Sequence, residues 1–128
     1  MDILLDTCTA LWLLSDDRKL SKAAKEYLSD SNNNLFISTA SIWEFAIKRR
    51  LGKLGEYEYN SLDFYNLLYD IDIDILNIVP HHASGVENLP LIHTDPFDRL
   101  IISTAIFEEL IILTNDDNII KYDIQYLW

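Results

Sequence analysis

Short apolar runs alternate with longer segments of mixed polarity along most of this chain. A continuous apolar run of a few residues is typical of a strand that helices cover on both faces. One further segment alternates polar and apolar residues before it ends at Pro80, which also predicts a strand. The predicted strands are residues 3–5, 35–37, 72–79, 110–113 and, at the edge of the sheet, 123–128.

The segments between these strands predict helices, and several have recognisable ends. Ser21 is a suitable N-cap, Gly52 is a suitable C-cap, and Asp95 followed by Pro96 suits the start of the last helix. Alternating strands and helices predict an α/β fold with a short, mostly parallel central sheet and helices on both faces. We expect a single domain over residues 1–128. The predicted helices are residues 9–15, 20–28, 38–52, 60–71, 81–87 and 95–109, with a polar break at 16–19 and a loop at 88–94.

Composition and charge narrow the choice of function. The net charge of −11 argues against nucleic-acid binding through the whole surface, although bound metal and a local basic patch can offset it. Cys8 is the only cysteine, so no internal disulfide is possible, and we expect a small buried side chain. The chain has no recognisable signal segment and no apolar run near the roughly 18 residues that span a bilayer. These features predict a soluble cytoplasmic protein without membrane association.

Four acidic residues stand at similar places in the predicted elements, and each has an ordinary structural explanation. Asp6 follows the first strand and suits a helix N-cap, and Glu44 forms a favourable i, i+4 pair with Lys48. Asp98 lies in a helix first turn, where a negative charge complements the helix dipole. Asp116 follows the strand at 110–113, in a turn-rich segment where Asp is common.

Taken together, these four acids predict a metal site. The carboxyl ends of parallel strands meet at one edge of a sheet, and ligands bind there in open α/β folds. Carboxylates gathered at such an edge repel one another unless a cation neutralises them. Mg²⁺ (or Mn²⁺) suits hard oxygen ligands and often binds through only one or two carboxylates. The chemistry that follows is metal-assisted hydrolysis of a phosphodiester.

Five segments resemble the PIN-domain ribonucleases and, within them, the VapC-type toxins of bacterial toxin–antitoxin pairs. They occur in the family's order and span nearly the whole chain. The segments are Leu-Leu-Asp-Thr-Cys-Thr-Ala-Leu-Trp at 4–12, Ser-Thr-Ala-Ser-Ile-Trp-Glu-Phe-Ala-Ile-Lys at 38–48, Arg-Leu-Gly-Lys-Leu at 50–54, Leu-Pro-Leu-Ile-His-Thr-Asp-Pro-Phe-Asp-Arg-Leu-Ile-Ile at 89–102 and Leu-Thr-Asn-Asp at 113–116.

The resemblance implies a metal-dependent endoribonuclease that acts on RNA as a homodimer and has a cognate antitoxin partner. It places the family's four catalytic and metal-binding acids on Asp6, Glu44, Asp98 and Asp116. Asp95 is either a fifth participant or an N-cap, and the resemblance does not decide between these roles. Two further residues, Ser41 and Thr114, match polar positions that flank the family's site.

The remaining polar and aromatic residues have structural interpretations that we prefer. We expect His81, His82 and His93 to be structural, because their spacing does not indicate a metal site. The aromatic residues Trp43, Phe64, Tyr65 and Tyr69 are expected in the core or in an interface. A basic cluster after Glu44 is either a solvated helix end or a phosphate track that Arg99 could join; it consists of Lys48, Arg49, Arg50 and Lys53.

Alternative functions remain at this point. A degenerate PIN domain would act only as a binding module, and a receiver-like signalling domain would also hold Mg²⁺ in an acidic pocket. A nucleotide-binding P-loop is excluded, because no Gly-Lys-Ser/Thr sequence occurs. For the antitoxin, we expect the apolar stretch at 57–71 to offer a groove for an amphipathic helix. A basic side chain of the antitoxin would then reach the four acids.

Overall fold

Five strands form the central sheet of the computed structural model, which describes residues 1–15, 17–55 and 58–128. They are β1 (Asp2–Leu5), β2 (Asn34–Ser38), β3 (Ile73–Leu76), β4 (Ile111–Leu113) and β5 (Tyr126–Leu127). The strand order is β3-β2-β1-β4-β5, and each neighbouring pair is parallel. The predicted parallel sheet is therefore confirmed, and its edge strand β5 is shorter than the predicted 123–128.

Six α-helices lie in the described part of the chain, one for each predicted helix. None of these helices combines the length and hydropathy needed to cross a bilayer. Of the predicted polar break, Asp16 lies outside the described residues, and the next three residues form a short 3₁₀ turn. The helices are α1 (Thr7–Ser15), α2 (Lys22–Ser29), α3 (Thr39–Arg50), α4 (Ser61–Tyr69), α5 (Pro80–Gly85) and α6 (Pro96–Glu108).

Local capping sets several helix ends. Ser21 caps α2 as predicted, whereas the C-cap of α3 is Leu51, one residue before the predicted Gly52. The Ser21 side chain accepts a hydrogen bond from the Ala24 N–H at the start of α2. A reciprocal capping box between Asn60 and Asp63 opens α4. After α3 the chain reverses at Gly52, whose φ of +69° is a left-handed conformation that favours glycine. These contacts satisfy backbone groups that a helix end would otherwise leave without partners.

The two faces of the sheet bury separate apolar clusters, because successive side chains of a strand point to opposite faces. Ile3 and Leu5 of β1 belong to a cluster that includes Phe45, Phe64 and Leu68 from α3 and α4. Leu4 belongs to the other cluster, and its partners from α6, β4 and the segment after β4 include Ile101, Ile102, Ile112 and Ile119. The continuous apolar run at 3–5 thus reflects a strand covered on both faces.

The parallel strands bring three chain segments to one edge of the sheet. β1 ends directly before Asp6, β2 ends where α3 begins, and β4 ends directly before Thr114. α6 precedes β4 in the chain and returns along the sheet, so its first turn lies at the same edge. This topology is the arrangement that places ligands at the carboxyl ends of strands in α/β proteins.

We predict that Phe64→Ala lowers the free energy of unfolding by about 3–5 kcal/mol, because it removes a buried ring and leaves a cavity. Phe64 is fully buried and stacks on Phe45 with ring centroids 4.6 Å apart. Urea denaturation of the purified protein measures the change. Leu62→Ala is the matched control on the same helix: Leu62 is 63% exposed, so its change should stay within about 0.5 kcal/mol. Equal losses in both variants would contradict this description of the core.

Candidate metal centre

All four predicted acids meet in one pocket at the carboxyl edge of the sheet. The pocket has a volume of about 250 Å³. Each acid comes from a different chain segment, so only the folded topology brings them together. The residues that line the pocket are Asp6, Thr7, Cys8, Glu44, Lys48, His93, Asp95, Asp98 and Asp116.

Asp6 lies at the end of β1 and is only 3% exposed. One carboxylate oxygen, Oδ1, accepts a hydrogen bond from the Thr9 N–H at 2.6 Å, and the other accepts from the Thr114 hydroxyl. Burial raises the pKa of Asp6, and the hydrogen bonds from Thr114 and Thr9 oppose this effect in part. Asp6 therefore both caps α1 and lines the pocket. This cap also explains why α1 begins two residues earlier than predicted.

Glu44 has a buried carboxylate with one oxygen left without a partner. The residue is 3% exposed, and its Oε2 accepts a hydrogen bond from Lys48 Nζ, which confirms the predicted i, i+4 pair. Its Oε1 is buried and has no hydrogen-bond partner within the described ranges. A buried polar atom without a partner costs about 1–3 kcal/mol, so a ligand at this oxygen would relieve a real penalty.

Asp98 lies in the first turn of α6, with its Oδ2 2.8 Å from His93 Nε2. Burial raises the pKa of Asp98 to about 7. The His93 hydrogen bond lowers this pKa, whereas the charges of Asp95, Glu44 and Asp116 raise it. Ionising Asp98 is thus unfavourable in the folded protein unless a cation is bound nearby.

Asp95 and Asp116 line the pocket while they also cap local backbone turns. Asp95 Oδ1 accepts hydrogen bonds from the N–H groups of Phe97 and Asp98 at 2.9 and 3.0 Å, which confirms Asp95 as the N-cap of α6. Asp116 Oδ1 accepts from the Asn118 N–H at 2.8 Å. The N-cap role of Asp95 does not exclude its participation in the site, because the residue also faces the pocket.

Thr114 and Ser41 have different positions relative to the acids. Thr114 donates to Asp6 and accepts a hydrogen bond from the Asp116 N–H at 3.0 Å, so it links two acids of the pocket. Ser41 is fully buried and accepts a hydrogen bond from the Thr7 hydroxyl at 2.8 Å. Ser41 therefore supports a pocket-lining residue but does not line the pocket itself.

Arg99 is buried against the chain, which contradicts its suggested place in a phosphate track. The residue is 8% exposed. Its guanidinium satisfies backbone groups of the loop before α6, as a planar group with five donors can do. The acceptors are the carbonyl oxygens of Val86, Leu89, Pro90 and His93 and the Tyr122 hydroxyl, at 2.9 to 3.4 Å.

Two residues that we expected to be structural also line the pocket. Cys8 is exposed, so the prediction of a buried side chain is wrong. Its pKa is raised to about 11 by partial burial and by the charge of Asp6, so the thiol is protonated at neutral pH. His93 contacts Asp98, whereas His81 and His82 lie on α5 and away from the pocket. Sequence spacing missed His93 because its partner is an acid, not another histidine.

The aromatic residues divide between the core and the surface. Phe64 is buried as expected, but Trp43 and Tyr69 are 60% and 59% exposed. Trp43 packs edge-on against Phe97 beside the pocket, with ring centroids 5.1 Å apart. Trp43 and Tyr69 are therefore not core residues, and an interface role for them stays a prediction.

The donor set of this pocket fits a divalent metal ion. Carboxylate oxygens predominate, Glu44 Oε1 is buried without a partner, and the pKa of Asp98 is raised in part by its acidic neighbours. Hard oxygen ligands of this kind suit Mg²⁺ or Mn²⁺. The residues that would hold the ion are Asp6, Glu44, Asp98 and Asp116, with Asp95 close by.

The fold and the pocket thus define a parallel α/β protein with a candidate metal centre at the carboxyl edge of its sheet. The chain belongs to the PIN domain family, whose model matches residues 3–125. No curated protein matches the chain. This family is the one that the sequence motifs resemble.

Solved structures of low sequence identity share this fold. VapBC2 from Rickettsia felis, bound to a DNA fragment from its promoter, aligns with a TM-score of 0.73 at 16% identity over 99% of this chain and 98% of that chain. VapBC-1 from nontypeable Haemophilus influenzae gives 0.64 at 18% identity, covering 99% and 97%. A toxin–antitoxin complex from Klebsiella pneumoniae gives 0.59 at 21% identity, covering 89% and 86%.

We predict that Asp98→Asn raises the melting temperature of the metal-free protein at pH 8 by about 3 °C or more. At pH 8 the Asp98 carboxylate is ionised in both the folded and unfolded states, and its raised folded pKa means that ionisation disfavours the fold. The difference in melting temperature between the variant and the wild type should be smaller at pH 5, where Asp98 is protonated in the folded protein. Differential scanning calorimetry with chelator present measures both values.

The same variant tests the response to metal. A hundredfold excess of Mg²⁺ over its Kd should stabilise the wild-type protein by about 2.7 kcal/mol, and the variant by less. Asp117→Asn is the control, since Asp117 is exposed and does not line the pocket. Identical melting of wild type and Asp98→Asn, with and without Mg²⁺, would contradict the crowding of charges in this pocket.

Proposed function

We propose that this chain is a metal-dependent endoribonuclease that hydrolyses RNA phosphodiester bonds and is the toxin of a toxin–antitoxin pair. The observation that supports this function best is the meeting of Asp6, Glu44, Asp98 and Asp116 in one small pocket, with Glu44 Oε1 left without a partner. Membership of the PIN domain family supports the same conclusion. A bound divalent ion would supply the positive charge that activates water and stabilises the attacking and leaving oxygens.

The side chains of the pocket have separate tasks in this proposal. Asp6 is oriented by Thr9 and Thr114 before any ligand binds, so its carboxylate requires little reorganisation. Glu44 offers the free oxygen. Lys48, on the next turn of α3, neutralises the other oxygen of Glu44 and is exposed enough to meet a phosphate.

The basic end of α3 offers phosphate contacts near Glu44 in a protein that is negatively charged overall. Arg49, Arg50 and Lys53 are exposed and follow Lys48 in the chain. They concentrate positive charge at and just after the end of α3, five to nine residues beyond Glu44. A local track of this kind would hold the RNA backbone against the acidic pocket despite the net charge of −11.

We predict that Asp6→Asn, Glu44→Gln, Asp98→Asn and Asp116→Asn each reduce Mg²⁺- or Mn²⁺-dependent RNA cleavage by about a hundredfold or more. Each substitution keeps the size of the side chain and removes its negative charge. Cleavage of a labelled RNA by purified protein measures the effect, and circular dichroism verifies that the fold is kept. Asp117→Asn is again the matched control, next to Asp116 in the chain but exposed and outside the pocket.

Three results would count against the proposal. Cleavage that persists in excess EDTA would remove the metal from the mechanism. Full metal-dependent activity in all four variants would place the active site elsewhere, and uptake of a phosphoryl group from a small phosphodonor would favour a receiver-like domain instead. Full activity in Asp98→Asn alone would transfer its role to Asp95, which lines the same pocket.

The proposed partner is an antitoxin, and the proposed assembly of the toxin is a homodimer. The solved structures with this fold include VapBC complexes from two bacteria. An apolar groove of about 430 Å³ lies between α3 and α4, where an amphipathic helix could dock. It is lined mainly by Ile42, Trp43, Ala46, Leu62, Tyr65 and Ile75. Of the stretch expected to form it, Tyr57 lies outside the described residues.

We predict that Leu62→Asp weakens antitoxin binding at least about tenfold while RNA cleavage stays intact. Leu62 is 63% exposed in this groove, so a charge there disturbs docking but not the fold. The assay requires the antitoxin to be found first, by a search for a small open reading frame next to the gene. Isothermal titration calorimetry then measures the affinity of its product. Leu91→Asp is the control, because Leu91 is 93% exposed and lies outside the groove. Equal affinities of Leu62→Asp and wild type would exclude this groove as the docking site.

A further inference from the structure

His93 is the one histidine among the residues that line the acidic pocket. Its Nε2 lies 2.8 Å from Asp98 Oδ2, and both side chains are mostly buried, at 19% and 18% exposure. His93, Asp95 and Asp98 each offer one ligand atom within 4.8 Å of the others. An imidazole and two carboxylates thus share a small volume beside the proposed oxygen ligands.

The backbone of His93 is fixed by two buried side chains. The Tyr122 hydroxyl accepts a hydrogen bond from the His93 N–H at 2.9 Å, and Arg99 Nη1 donates to the His93 carbonyl at 3.3 Å. Arg99 and Tyr122 are 8% and 5% exposed and are joined to each other at 3.0 Å. The loop before α6 therefore presents this imidazole to Asp98 from a fixed position, as a preorganised ligand requires.

The distance between the two side chains suits a pair of ligands on one ion. Two ligand atoms each about 2.1 Å from a metal ion and at right angles are about 3 Å apart. His93 Nε2 and Asp98 Oδ2 have a separation of 2.8 Å. An ion could thus replace the hydrogen that they share, with little movement of either side chain.

An independent observation in the same pocket also points to a ligand. Glu44 is 3% exposed, and its Oε1 is buried without a hydrogen-bond partner among the residues that the structure describes. Glu44 and Asp98 line the same pocket, and the charge of Glu44 contributes to raising the pKa of Asp98.

We propose that His93 Nε2 is a ligand of the divalent ion in this pocket, together with Asp98, and that it makes the site prefer Mn²⁺ to Mg²⁺. An imidazole nitrogen is a softer ligand than a carboxylate oxygen and suits transition-metal ions, whereas Mg²⁺ favours oxygen ligands and retains its waters. This inference rests on the proposed metal-dependent function and deepens it by naming the class of ion. The alternative is that His93 only positions Asp98 through their hydrogen bond.

Electron paramagnetic resonance of bound Mn²⁺ distinguishes a direct ligand from a positioning residue. We expect the wild-type protein to show hyperfine coupling from a directly bound nitrogen, and this coupling to change when histidine is labelled with ¹⁵N. The measurement needs no substitution, so it does not depend on the folding of a variant. His81 and His82 are not expected to produce the signal, because neither lines the pocket. His81 stacks on Phe107 and His82 is bound to Glu108, at the opposite end of α6 from Asp98.

Two variants give a second measurement by calorimetric titration with Mn²⁺ alone and with Mg²⁺ alone. In His93→Gln the ratio of Mn²⁺ affinity to Mg²⁺ affinity should fall about tenfold. In His81→Gln, the matched control, the ratio should stay unchanged. A wild-type protein that binds Mn²⁺ without nitrogen coupling would overturn the proposal, as would equal losses of both affinities in His93→Gln.

These outcomes separate this inference from the proposed function. If Mn²⁺ binds without nitrogen coupling and metal-dependent RNA cleavage persists, His93 is not a ligand but the nuclease function stands. If neither ion binds to the wild-type protein, both proposals are wrong.

Discussion

Burial of several carboxylates at one edge of a parallel sheet is the constraint that the rest of the structure serves. Asp6 and Glu44 are almost fully buried, and burial raises the pKa of Asp6 and Asp98. Keeping such groups ionised costs free energy, because water no longer solvates their charge. The protein offsets part of this cost with hydrogen bonds from Thr9 and Thr114 and with the Lys48 ammonium group. The remaining negative charge is uncompensated, and a bound divalent cation would neutralise it.

Most of the acids perform a structural task as well as lining the pocket. Asp6 caps α1, Asp95 caps α6, and Asp116 caps the turn after β4. The caps hold these carboxylates in fixed orientations, because one oxygen of each accepts backbone N–H groups. The ordinary structural explanation of each acid and its functional explanation therefore do not compete.

A second polar network, around Arg99 and Tyr122, fixes the loop that carries His93. The Arg99 guanidinium gathers four backbone carbonyls and the Tyr122 hydroxyl, and so fixes the loop before α6. The Arg99 guanidinium is hydrogen-bonded to carbonyl oxygens and, among the described residues, not to a carboxylate. Its positive charge is therefore not paired with the acids of the pocket. This buried arginine is not available for contacts with a phosphate, whereas Arg49 and Arg50 at the end of α3 are exposed.

The sequence by itself determined the alternation of strands and helices, and it predicted that four acids would meet at one edge of the sheet. Apolar runs and caps such as Ser21, Gly52 and Asp95 predicted the parallel sheet and the helices, because strand burial and helix ends depend on local residue patterns. Only the tertiary structure decided which other side chains meet the acids. His93 joined the pocket, Arg99 turned away from it, and Cys8 was exposed, because these positions depend on how the loop before α6 and the start of α1 pack against distant segments. The contacts of His93 and Arg99 run through an irregular loop, which has no periodic pattern from which they could be predicted.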